Sequence, residues 1–102
     1  MSHKRILELD PLIHAPVRLA VMSLLVTVDG ASFAFLKEST KATDGNLSTH
    51  LAKLEKGGYV TIKKTFKGKK PHTSCAVTKK GRNAFVRYLD SLEEIVMSQK
   101  QE

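Results

Sequence analysis

Asn46, Thr49, Lys53 and Lys56 follow one another at intervals of three and four residues. On an α-helix that spacing gathers an amide, a hydroxyl and two ammonium groups on one side. Such groups break no bonds; their chemistry is recognition by hydrogen bond and charge. An asparagine amide can pair bidentately with adenine, a serine or threonine hydroxyl suits several bases, and lysine suits phosphate or guanine. Gly45 lies on the same arc and would let a ligand approach the backbone, while Ser48 and His50 flank it. Leu47, Leu51 and Leu54 recur at i, i+4, i+7 on the opposite side and would grip a core. Thr43 is placed to cap this helix and Asp44 to sit at the positive end of its dipole. Free N–H groups near Thr43–Asn46 would also suit a phosphate.

A second cluster follows closely. Lys63, Lys64, Lys67, Lys69 and Lys70 occupy eight residues around a Gly68 turn. Lysines on an edge strand also discourage aggregation, but that role accounts for one or two of them. Five beside a candidate reading helix fit contact with a polyanionic backbone or a minor groove, a contact that adds affinity without sequence choice.

Bond-making chemistry finds no support. His3, His14, His50 and His72 lie on different elements without metal-ligand spacing. Cys75 is the only cysteine, so it forms no intrachain disulfide and no cysteine-based zinc site, and it reads as a packed strand residue. No glycine-rich phosphate loop precedes a helix, and no nucleophile–base–acid set is present. Asp90, Glu93 and Glu94 read as the wet face of a helix. The expectation is a protein without catalysis, metal or cofactor.

The elements that must hold these groups can be read from local signals. Asp10-Pro11 opens a first helix that Pro16 restarts or kinks, and an apolar run from Val17 to Val28 should be buried on most sides until Asp29-Gly30 ends it. Ser32–Ser39 forms a short second helix, Thr40-Lys41-Ala42 a tight link, and Thr43 starts the third, which Gly57-Gly58 stops. Tyr59–Phe66 and His72–Thr78 are strands joined by a turn over Lys67–Pro71; Val60, Ile62 and Phe66 share strand parity. Thr78 caps a last helix, about 79–98, with the stripe Phe85, Tyr88, Leu89, Leu92, Ile95 and Val96, and residues 99–102 form a frayed tail. The fold class is mainly α with a β-hairpin wing: helix-helix-helix-hairpin-helix, a winged helix-turn-helix in a single domain over residues 1–102.

The whole-chain totals agree. There are 102 residues, 41% of them apolar, and a net charge of +7. Between Thr43 and Lys80 nine lysines stand against Asp44 and Glu55, so that stretch holds the entire surplus. Localised positive charge implies a polyanionic partner. The apolar run carries Arg18, Ser23 and Thr27, too short and polar to cross a bilayer, and the amino terminus lacks a signal-peptide h-region. A cytoplasmic protein with no membrane partner is expected.

The blocks His14-Ala-Pro-Val-Arg-Leu19, Thr43-Asp-Gly-Asn-Leu-Ser-Thr-His-Leu51, Lys53-Leu-Glu-Lys-Gly-Gly-Tyr-Val60, Phe66-Lys-Gly-Lys-Lys-Pro71 and Thr78-Lys-Lys-Gly-Arg82 together resemble the winged-helix transcriptional regulators of the MarR and ArsR type, in their compact branch. The resemblance spans roughly residues 10–98. It implies a homodimer on a two-fold site in double-stranded DNA, with the Thr43 helix in the major groove and the lysine hairpin as wing. The clustered cysteines of metal-sensing relatives are absent, and little chain remains to build the ligand cleft of larger ones, leaving a small-molecule effector open. For the dimer interface the apolar surplus points to Tyr88, Leu92, Ile95 and Val96, helped by Ile6, Leu9 and Ile13. Two other readings stay open: a winged helix used as a protein-interaction module, for which the outer helix face is too polar, and sequence-nonspecific nucleic-acid binding, for which exposed aromatics are few.

Overall fold

The computed structural model describes residues 6–100. The expectations for His3 and the other residues of 1–5, and for 101–102 of the tail, fall outside them. After a short 3-10 turn at Ile6–Glu8 come α1 (Pro16–Leu25), β1 (Ala31–Ser32), α2 (Phe33–Thr40), α3 (Asp44–Lys56), β2 (Val60–Lys67), β3 (Lys70–Val77) and α4 (Lys79–Lys100). Three helices, a two-stranded wing and a closing helix make the winged helix-turn-helix that the sequence implied.

Several boundaries differ from expectation: α2 is shifted by one residue, α4 runs through Gln99 and Lys100, which were expected in a frayed tail, and three further differences are larger. Asp10 does not open a helix: its Oδ1 accepts the N–H of Leu12 at 2.9 Å and closes a turn, and α1 starts only at Pro16, whose ring suits a first helical position. That helix stops at Leu25 instead of Val28, because the N–H and hydroxyl of Thr27 both turn back onto the Leu24 carbonyl. Of α1 only Val21, Met22 and Leu25 are buried; the rest of the apolar run is half-buried or exposed. The hairpin turn is tighter than the lysine-proline stretch suggested. Only Gly68 and Lys69 lie between paired Lys67 and Lys70, with Gly68 at φ +64°, and Lys70 and Pro71 already belong to β3.

The caps at Thr43 and Thr78 formed where sequence placed them, and Ser32, expected inside the second helix, caps it instead. Ser32 Oγ accepts from Phe35 N, Thr43 Oγ1 from Asn46 N, and Thr78 Oγ1 from Gly81 N. Gly58 takes the left-handed conformation after α3 (φ +83°). Between α2 and α3, Lys41 adopts φ +60° without being glycine. Thr40 steadies this link by donating its hydroxyl to Leu36 O while accepting from Ala42 N.

The sheet is antiparallel in the order β1-β3-β2. β1, two residues long, pairs Ala31 with Cys75 and Ser32 with Ser74, and had no sequence signature of its own. The core joins Val21, Met22 and Leu25 of α1, Leu36 of α2, Leu47, Leu51 and Leu54 of α3, Val60 and Cys75 of the sheet, and Ala84, Phe85, Tyr88 and Ile95 of α4. Each fully buried leucine contributes about 2 kcal/mol by leaving water, so the leucine stripe of α3 sets that helix's rotation and hence which side faces out.

Candidate nucleic-acid interface

With Leu47, Leu51 and Leu54 turned inward, Thr43, Asp44, Gly45, Asn46, Ser48, Thr49, Lys53 and Lys56 are all exposed. A side chain added at Gly45 would meet no atom within 4 Å, so that part of the helix backbone is open to a ligand.

Not every candidate stands on the same surface. Ser48 turns toward the wing, where with Leu51, Ala52 and Glu55 it forms one wall of a cleft of about 660 Å³; Ile62, Lys64, Thr73 and Phe33 form the other. Asp44 forms an ion pair with Lys37 of α2 at 2.8 Å, tying together the two helices on either side of the turn. The start of α3 is therefore a poorer phosphate seat than its free N–H groups suggested: Thr43 already occupies the Asn46 N–H, and the Asp44 carboxylate stands beside it. His50 is half-buried and its Nδ1 lies 2.9 Å from Arg18 Nη1. A guanidinium can only donate, so Nδ1 accepts and Nε2 carries the proton. Burial, then the charges of Arg18 and Lys53, hold the imidazole below its ordinary pKa of 6.5. At neutral pH His50 offers a hydrogen bond to a ligand rather than a charge.

Arg18 was not singled out as a site residue from sequence. It also donates from Nε to Leu12 O at 2.6 Å, so one guanidinium joins the turn before α1 to the flank of α3. Nothing in its spacing marked it, since its partners lie 6 and 32 residues away.

Along the wing, cross-strand pairs share a face. Val60–Val77, Ile62–Cys75, Lys64–Thr73 and Phe66–Pro71 are on the core and α3 side; Lys63–Ser74, Thr65–His72 and Lys67–Lys70 are on the other. The five lysines are thus divided: Lys64 faces α3, Lys63, Lys67 and Lys70 face away, and Lys69 sits in the turn. All five are exposed, and among the described residues none is in an ion pair. Phe66 shares the parity of Val60 and Ile62 but lies past the end of the core and is exposed. Its place among lysines next to the turn was the available signal.

The candidate dimer residues divide. Leu9, Ile13, Tyr88 and Ile95 are buried within the chain's own core. Leu92 is half-buried against that core. Ile6 and Val96 remain exposed, together with Leu7, Val86, Leu89 and Met97, which sequence reading had not assigned to an interface. Cys75 is buried at the sheet centre, and burial, then the nearby Glu55 carboxylate, push its thiol up, away from the reactive thiolate. Among the described residues no helix is long and apolar enough to cross a membrane.

The chain matches the family model described as winged helix DNA-binding domain over residues 17–96. It is 41% identical over 73 residues to an uncharacterized protein of Methanocaldococcus jannaschii, covering 72% of this chain and 79% of that one. Among solved structures it is similar to a transcriptional regulator homologue from Pyrococcus horikoshii OT3, at 30% identity, TM-score 0.80, covering 86% of this chain and 87% of that one. A MarR family regulator from Silicibacter pomeroyi shares the fold at 18% identity and TM-score 0.65, over 88% of this chain and 60% of that one.

Proposed function

We propose that the chain, which belongs to the winged helix DNA-binding domain family, is a homodimeric cytoplasmic transcriptional regulator that reads a two-fold site in double-stranded DNA. α3 enters the major groove, with Asn46, Thr49 and Lys53 at base edges and Gly45 allowing close approach. The wing rests on the backbone or minor groove, and Lys63, Lys64, Lys67, Lys69 and Lys70 supply counterion release. The single observation that carries this reading is that the wing's five lysines are exposed and, among the described residues, free of ion pairs, on the hairpin that follows a helix with an exposed polar side. Unneutralised charge next to a hydrogen-bonding helix matches how protein–DNA interfaces divide affinity from specificity.

Dimerisation is supported by the apolar groups left exposed on α4 and near the amino terminus: Leu7, Leu89, Val96 and Met97. Two α3 helices held about 34 Å apart by such a pairing would match successive major grooves.

Selection from a random duplex pool at physiological salt, with sedimentation of the free protein, tests the proposal. Enrichment of a palindrome and a dimer at micromolar concentration are expected. Binding without enrichment would replace it with nonspecific nucleic-acid binding. Absence of binding would point to a protein-interaction module, and a monomer at tens of micromolar would remove the dimer.

A further inference from the structure

Phe66 is 72% exposed and stands outside the hydrophobic core. Its cross-strand partner is Pro71, also exposed, so a ring pair stands at the outer end of the hairpin. Register puts both on the face of Ile62 and Lys64, which line the cleft beneath α3. The rings therefore emerge on the side of the wing turned toward the reading helix, away from Lys63 and Lys67. Lys64 shares their face, Lys69 sits in the adjoining turn, and Lys67 and Lys70 border them in sequence from the other face, none of the four in an ion pair among the described residues.

An occupant of this spot must be apolar at its centre and anionic at its rim. The minor groove of DNA gives that profile where a base step opens: sugar rings and the newly exposed base faces then lie between two rails of phosphate. We propose that Phe66, backed by Pro71, is an apolar wedge that the wing presses into the minor groove, partly unstacking one base step. This rests on the DNA-binding reading above and deepens it. The lysines alone would make the wing indifferent to sequence. A wedge changes that, because pyrimidine–purine steps unstack more easily than others, so Phe66 adds a preference for deformable steps at positions α3 never touches.

The test uses the full chain and a duplex recovered by the selection, with 2-aminopurine placed in turn at each step under the wing. Wild type is expected to raise the probe's fluorescence at one step. Phe66→Ala, which leaves the core untouched and should keep the wild-type circular dichroism, is expected to lose that rise. It should also bind roughly tenfold more weakly, with an unchanged slope of log affinity against log salt. Phe66→Leu should fall between the two. Wild-type affinity and fluorescence in Phe66→Ala would overturn the wedge while leaving DNA binding intact. So would a weaker affinity with a flattened salt slope, since the ring would then merely hold the lysines. Failure of wild type to bind any duplex would instead overturn the parent reading.

Discussion

The Nδ1 of His14 lies 2.8 Å from the hydroxyl of Tyr88, and their ring centroids are 5.8 Å apart. These residues are 74 positions apart in the chain, and their hydrogen bond fastens the turn before α1 to the middle of α4. Tyr88 is otherwise buried, which pushes its phenol up, so the hydroxyl stays protonated. Tyr88→Phe should cost about 1 kcal/mol, the net worth of one such bond. His14→Ala should cost a similar amount, and the double variant should cost less than the two losses added. Urea midpoints of the four proteins check this; strict additivity would mean the pair does not couple.

His50 makes stability depend on acidity. Folding holds its imidazole below the ordinary 6.5 through burial and the charges of Arg18 and Lys53. Below that pH the unfolded chain takes up a proton that the folded one refuses. Stability from this group is therefore complete above 6.5, falls as pH drops below it, and levels off beneath the folded value. His50→Gln keeps an acceptor for Arg18 without a titrating proton, so its urea midpoint should vary less between about pH 5 and 7.5. An unchanged slope would place the effect elsewhere.

Two glycines should respond oppositely to the same added methyl. A Cβ on Gly81 would collide with the backbone oxygen of Tyr59, where the base of β2 crosses α4. Backbone must move, so Gly81→Ala should destabilise by about 1–3 kcal/mol. It should also disturb Tyr59, whose hydroxyl hydrogen-bonds Asp10 and whose pKa is pushed up to about 12. Gly45→Ala meets nothing and should stabilise α3 by a few tenths to about 1 kcal/mol. That same methyl should weaken DNA binding by obstructing close approach, so melting and binding titrations would move in opposite directions.

The division of labour between α3 and the wing gives a fourth expectation. Asn46→Ala or Thr49→Ala should relax base preference at particular positions, by about 1–3 kcal/mol of discrimination each. Lys67→Ala or Lys69→Ala should weaken binding to every duplex alike and flatten the salt slope by about 0.9 for each phosphate no longer neutralised. Selection repeated with each variant separates the classes; if all four behave alike, α3 does not read bases.

Local signals determined much of this protein. Caps at Thr43 and Thr78, the stop at Gly57-Gly58, and the spacing of Leu47, Leu51 and Leu54 depend on a few neighbouring residues, so they could be read along the chain and imply the order of elements and the outward side of α3. The concentration of charge between Thr43 and Lys80 was equally plain. Interactions between distant segments had no such trace. Two-residue β1 is too short to show a period and exists because β3 offers it an edge. Arg18 meets His50 only because α1 packs on α3, and Asp10 meets Tyr59 only because the turn before α1 reaches the start of the hairpin. Strand parity predicted that Phe66 shares a face with Val60 and Ile62. Where along that face the core ends depends on the packing of other elements, and this left Val60 buried, Ile62 half-buried and the phenyl ring in water.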